Sequence, residues 1–86
     1  MSVRVHLPTQ LIRLHGLTNP LECDGATVAE VIADLDRRVP GLGHGLADAG
    51  ELRRHVLVFV DRDQAGMGTP VADGTEVRFV AAVAGG

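Results

Sequence analysis

Alternating hydrophobic and polar positions mark both ends of the chain as β-strands. Residues 3–7 alternate near the N-terminus, and residues 76–81 alternate near the C-terminus, with Val77 and Phe79 expected to point inward. A period of two is typical of a strand that buries one face. Residues 56–60 form an unbroken apolar run rich in β-branched side chains, which predicts a central strand covered on both faces.

Shorter segments complete the predicted sheet. Leu21 and Cys23 alternate with acidic residues, which predicts a short second strand that pairs with the first as an antiparallel hairpin. On this strand Cys23 is expected to be a small core residue. Residues 11–16 are interpreted as a turn or a short continuation of the first strand, and residues 64–72 as a connection with one short strand.

One helix is predicted between the second and third strands. Thr27 and Glu30 have the spacing of a capping box, in which each side chain binds a free backbone N–H. Apolar residues follow at helical spacing: Val28, Val31, Ile32, Leu35 and Val39. Asp34 and Asp36 are expected to lie off this apolar face, and Pro40 predicts the end of the helix.

This order of elements predicts an α+β fold with one main helix packed across one face of a mixed sheet of four to five strands. If the first and last strands are neighbours at its centre, they run parallel, as in the β-grasp or ubiquitin-like arrangement. We expect one β-grasp domain at residues 1–80 and an extended, flexible tail at 81–86. The outer face of the sheet would carry Leu57, Phe59 and Val80 as a partner-docking patch; in the alternative, a shifted register would place them in the core.

The composition excludes several classes of function. The net charge is −3, whereas a nucleic-acid binder needs a basic patch, so no nucleic-acid partner is expected. The one cysteine excludes an intramolecular disulfide, and no segment has the length and apolar character of a membrane span, so we expect a cytoplasmic protein without a membrane partner. No metal site is expected from the spacing of the four histidines, which are His6, His15, His44 and His55.

The sequence ends in a small, uncharged segment. Disordered tails are normally polar, whereas this one is apolar and ends in two glycines. One interpretation is a frayed terminus without a function. The other is an extended backbone that threads into a narrow enzyme channel so that its terminal carboxylate reacts. The residues that would enter the channel are Ala82, Val83, Ala84, Gly85 and Gly86.

The segment 71–80 and the Ala-Val-Ala-Gly-Gly ending resemble the C-terminal half of the MoaD/ThiS sulfur carriers. The capped helix at 27–39 and the acidic turn at Asp61 follow the same pattern, so the resemblance spans nearly the whole chain. Within the family the ending is most similar to CysO-type carriers of cysteine biosynthesis. Molybdopterin synthase small subunits commonly have one or two prolines just before the last residues, where this chain has Ala81 and Ala82.

The resemblance implies a function without catalytic groups in this chain. An E1-like (MoeB/ThiF-type) enzyme would adenylate the Gly86 carboxylate with ATP and magnesium, and sulfur would then replace AMP. The resulting thiocarboxylate would donate sulfur to a substrate held by a second, biosynthetic enzyme. The chain itself would bind no cofactor and would be a protein cosubstrate rather than an enzyme.

Three alternatives to this function stay open at the level of the sequence. The chain could be the small subunit of molybdopterin synthase, or a ubiquitin-like modifier that is conjugated to protein lysines through the same activated Gly86. It could also be a plain β-grasp interaction domain with an inert tail, because a fold does not determine a function.

Overall fold

The first and last strands of the chain lie side by side at the centre of a mixed five-stranded sheet. The computed structural model describes residues 2–81, and Met1 and residues 82–86 lie outside the described part. The strands are β1 (Val3–His6), β2 (Leu21–Cys23), β3 (Ala47–Asp48), β4 (Glu51–Leu52), β5 (Val56–Val60), β6 (Asp63–Ala65) and β7 (Glu76–Ala81). The main sheet has the order β2-β1-β7-β5-β6, and β3 and β4 form a separate hairpin.

The strand directions are those predicted for a β-grasp fold. β1 runs parallel to β7 and antiparallel to β2, while β5 runs antiparallel to both β7 and β6. A parallel pair needs a crossover connection, and most of the chain between β1 and β7 supplies it. The predicted mixed sheet is therefore confirmed.

The main helix, α2 (Val28–Arg38), packs its apolar side chains into one core with those of the sheet. The Thr27 hydroxyl accepts a hydrogen bond from the Glu30 N–H at 3.2 Å, as the capping box predicts. The Glu30 carboxylate accepts from the Ala26 N–H at 3.0 Å, one residue before the cap. The helix ends where predicted, with Val39 as its extended C-cap.

The prediction of a turn at residues 11–16 is wrong, because a short helix, α1 (Thr9–His15), occupies this segment. Its C-cap is Gly16, in the left-handed conformation (φ +64°) that glycine adopts without steric cost. Leu11 and Ile12 are half-buried against the core, and a short 3₁₀ helix at Leu42–Gly45 packs nearby. Two turns of helix are too short for a period of 3.6 to be distinguished from an irregular segment.

The prediction that β5 is covered on both faces is also wrong for the described chain. Val56 and Val58 are buried in the core shared with α2, whereas Leu57 and Phe59 are half-buried on the opposite face. β5 is the fourth strand in the sheet order, next to the short edge strand β6. The apolar run therefore marks an outer face that is apolar and half-buried, not one covered by a second layer of the described chain.

Asp34 was expected on the solvent side of α2, but its carboxylate is buried, with 8% of the residue exposed. It accepts hydrogen bonds from the Asp24 N–H at 2.9 Å and from Arg38 Nε at 2.7 Å, and also from Arg37. The Asp24 N–H, followed by the two guanidinium groups, lowers the pKa of Asp34 to about 2. These bonds join α2 to the end of β2.

Cys23 is 1% exposed and belongs to the core, as predicted. Burial raises the pKa of its thiol to about 11, and the nearby Asp34 carboxylate adds to this effect. The reactive form of a cysteine is the thiolate, so this thiol is held in its inert form.

We expect Asp34→Asn to lower the free energy of unfolding by about 2 kcal/mol at neutral pH, because it removes a charged acceptor with several donors. The pKa of Asp34 is lower in the folded chain, so its stabilisation is complete above about pH 4 and is lost as the pH falls towards 2. Urea unfolding should therefore show a smaller difference between the two proteins in acid. Asp48→Asn is the control. If Asp34→Asn lowers the unfolding free energy equally at neutral and acid pH, the charge of Asp34 is not the source of the stabilisation.

The native Cys23 thiol should resist alkylation. A pKa of about 11, against 9.0 for a free thiol, lowers the thiolate population about 100-fold at neutral pH. The limited access of a reagent to the buried thiol slows the reaction further. Iodoacetamide labelling, followed by mass spectrometry, should be at least this much slower in the native chain than in urea. An Ala72→Cys variant, exposed in a loop, supplies the control thiol; native Cys23 that reacts as fast as this thiol would disprove its burial.

Candidate functional site

The outer face of the sheet carries an apolar patch at the end where β7 finishes. Leu57 lies opposite Val80 in the register, and Phe59 lies opposite Arg78. Val80 is 37% exposed, and Leu57 and Phe59 are half-buried. We call Leu57, Phe59 and Val80 the outer apolar patch; that a partner docks on it stays a prediction.

Charged side chains cover the part of the outer face next to the patch. His6 Nε2 and Glu76 Oε1 lie 3.0 Å apart, and this hydrogen bond lowers the pKa of Glu76. Arg78 sits in the register between His6 on β1 and Phe59 on β5. Among residues 2–81, no carboxylate lies within ion-pair distance of Arg78. A cation without an ion-pair partner in residues 2–81 therefore borders the outer apolar patch.

Arg78 is not among the residues that the sequence patterns marked as functional. A signal was present, because Arg78 lies two residues from Val80 and so shares its face of the strand. What the sequence did not show is that the neighbouring carboxylate, Glu76, is paired with His6 on another strand.

The expected tail begins at the end of β7. β7 pairs with β5 as far as Ala81, the first residue of the expected tail. The other tail residues singled out from the sequence lie outside the described residues; they are Ala82, Val83, Ala84, Gly85 and Gly86. The structure thus brings the start of the tail next to Val80 and the outer apolar patch.

A groove runs along the last residues of β7 on the side of β1. Its walls are residues 78–81 and residues 6–10, with Asn19 behind them. The Asn19 side chain accepts from the Leu7 N–H at 2.9 Å and donates to the Leu7 C=O at 3.0 Å. We call this the tail-root groove, because the tail starts at its end.

Two acidic residues beside turns accept hydrogen bonds from the backbone. Asp73 accepts a hydrogen bond from the Ser2 N–H at 2.7 Å, and Asp61 accepts one from the Glu76 N–H at 3.4 Å. Within residues 2–81 there is no cluster of three or more potential metal ligands. None of the helices in this part of the chain is long and apolar enough to cross a membrane.

Solved structures share this architecture over almost the full length of the chain. A chain in the Amycolatopsis orientalis BexX/CysO complex is 34% identical with a TM-score of 0.88, covering 98% of this chain and 99% of that one. Mycobacterium tuberculosis CysO is 32% identical with a TM-score of 0.86, covering 94% and 99%. SAMP1 from Haloferax volcanii is 28% identical with a TM-score of 0.82, covering 100% of both.

A search among curated proteins gives no match. The family model described as the ThiS family matches residues 5–86, which include the end of β1, the outer apolar patch, Arg78 and the terminal glycines. This match and the structural neighbours confirm the resemblance to the MoaD/ThiS ubiquitin-like carriers. The chain therefore belongs to the ThiS family.

Proposed function

We propose that this chain is a sulfur carrier whose Gly86 carboxylate is adenylated by an E1-like enzyme of the MoeB/ThiF type and converted to a thiocarboxylate. The observation that carries the proposal is the family match, which continues through residue 86. The position of the outer apolar patch at the start of the tail supports it, since an enzyme that binds the patch also receives the tail.

The chemistry requires activation, because a carboxylate is a poor electrophile. Attack of the Gly86 carboxylate on ATP forms an acyl-adenylate and releases pyrophosphate, and a sulfur nucleophile then displaces AMP to leave a thiocarboxylate. The activating enzyme uses the ATP and magnesium, so this chain needs no cofactor of its own. Gly85 and Gly86 have no Cβ, which allows catalytic groups to approach the backbone closely.

No side chain in residues 2–81 offers a good alternative to the tail as the site that carries sulfur. Cys23 is buried and its pKa is raised, so it is a poor alternative sulfur carrier. The basic residues are all arginine, so the sequence offers no lysine to which an activated tail could be joined. The chain then acts as a protein cosubstrate, and the catalytic groups belong to its partners.

We favour, as the enzyme that receives the sulfur, one that makes cysteine or another sulfur-containing metabolite. Two of the structural neighbours above 30% identity carry the name CysO, one of them in a complex with BexX. A molybdopterin converting factor subunit from Pyrococcus furiosus is 20% identical, which shows the shared fold alone.

A ubiquitin-like modifier is the second candidate function. The observation in its favour is the similarity to a small archaeal modifier protein of Haloferax volcanii, 26% identical with a TM-score of 0.80. A modifier and a sulfur carrier share the adenylated Gly86 and differ in what attacks it: an amine of another protein, or sulfur.

The carrier function predicts a change in intact mass. After incubation with a MoeB/ThiF-type enzyme, ATP, magnesium and a sulfide source, the chain should gain the mass difference between sulfur and oxygen. Proteolysis should place the gain in the C-terminal fragment. Deletion of Gly86 should abolish it without a change in unfolding free energy, because this residue lies beyond the last strand.

The same experiment separates the candidate functions. ATP–pyrophosphate exchange measures adenylate formation. If an adenylate forms and covalent conjugates appear without a thiocarboxylate, the result would favour the modifier. Failure to form an adenylate with any competent activating enzyme would contradict both functions and favour an inert tail.

The docking role of the outer apolar patch predicts a change in KM. Val80→Glu places a charge among the patch residues while it leaves Gly86 intact, so the KM for the carrier in adenylation should rise about tenfold or more, with kcat little changed. Glu22→Gln, on the outer face of the edge strand β2, is the matched control. An unchanged KM for Val80→Glu would remove the patch from the interface.

A further inference from the structure

We propose that the tail-root groove binds an extended segment of a partner enzyme as an added strand beside β7, with a carboxylate of that segment paired with Arg78. This inference rests on the proposed carrier function, in which an enzyme receives the tail. Added strands are held by main-chain hydrogen bonds, and pockets for side chains give them specificity.

The two edges of β7 are paired to different lengths. On the side of β5 the register continues to Ala81, whereas on the side of β1 it ends where His6 pairs with Arg78. Residues 79–81 therefore have a neighbouring strand on one side and the tail-root groove on the other.

The backbone groups that face the groove follow from the alternation along the strand. The Thr75 C=O accepts from the Arg4 N–H at 3.0 Å on the side of β1, and the Glu76 C=O accepts from the Asp61 N–H at 2.8 Å on the side of β5. Successive residues of a strand direct their N–H and C=O groups to opposite neighbours. The C=O of Phe79 and the N–H of Ala81 therefore face the groove.

The segment after β1 does not supply partners for these two groups. By the same alternation Pro8, two residues after His6, is the next residue whose backbone would face β7, and it has no N–H to donate. Its C=O accepts from the N–H groups of Leu11 and Ile12 at 3.0 and 3.1 Å, which starts α1. The backbone groups of Leu7 are bound to the Asn19 side chain on the side of β2. Within residues 2–81, the Phe79 C=O and the Ala81 N–H are thus left for an incoming strand.

The charge of Arg78 determines which side chain the incoming strand should carry. Arg78 lines the groove and has no ion-pair partner among the described residues, because Glu76 is paired with His6. A carboxylate on the incoming segment would complete this pair, whereas a cation there would be repelled.

The position of the groove explains how such a contact would help the tail to react. An added strand would hold the root of the tail in extended geometry between two hydrogen-bonded neighbours. Five extended residues span at most about 17 Å, so the direction of the root decides where Gly86 arrives. The groove and the outer apolar patch meet at Val80, so one enzyme surface could contact both.

The test uses a capped pentapeptide of alternating valine and threonine with one central glutamate, titrated into the ¹⁵N-labelled carrier. Amide shifts should saturate at millimolar peptide and should centre on Phe79, Ala81, Leu7, Thr9 and Gln10. Replacement of the glutamate by lysine should weaken binding about threefold to fivefold, which is the range of an exposed ion pair.

Two variants assign the binding to the proposed groups. Ala81→Pro removes the N–H that faces the groove, so it should abolish saturable binding while the urea midpoint stays unchanged; Ala81→Val and Ala82→Pro keep that N–H and are its controls. Arg78→Gln should remove the preference for glutamate over lysine and should leave the positions of the shifted amides unchanged.

Several results would overturn the proposal. They are shifts that do not saturate, shifts confined to the outer face around Leu57, and full binding by a folded Ala81→Pro variant. The titration needs neither ATP nor an activating enzyme, so its failure would not affect the thiocarboxylate measurement. A carrier that binds the peptide but is never adenylated would contradict the proposed function alone.

Discussion

The parallel pairing of β1 with β7 is the contact on which the rest of the structure depends. It joins the two ends of the described chain at the centre of the sheet, so nearly everything in between must act as a crossover. α2 covers the inner face of that sheet, and the bonds of Asp34 to the Asp24 N–H and to Arg38 tie the helix to β2. Because parallel strands end at the same side of a sheet, this pairing also decides where the tail emerges.

The proposed site for an added strand follows from the unequal lengths of the same two strands. β1 stops at His6, since Pro8 and the start of α1 direct the chain away, while β7 continues to Ala81. The difference opens the tail-root groove and leaves Arg78 at the border of the outer apolar patch. The two proposed docking surfaces thus meet at the root of the tail, which is where a carrier with its chemistry at Gly86 would need to be held.

Most of the fold was predictable because its signals are local. The capping box at Thr27, the helical spacing up to Val39 and the period of two near both ends each report the burial of a single segment. α1 escaped prediction because seven residues are too few to establish a period. The coverage of β5 was overestimated because an apolar run looks the same whether its second face meets another layer or a solvent-facing patch.

By itself, the sequence determined the β-grasp architecture, the burial of Cys23 and the family pattern that ends in Gly85 and Gly86. The tertiary structure alone decided which polar groups are satisfied. Asp34 is buried because donors from the end of β2 and from α2 converge on it. Arg78 has no ion-pair partner in the described part of the chain, where His6 binds Glu76 from another strand. Periodicity reports which face of one element is buried, whereas these pairings depend on the register between elements that are distant in the chain.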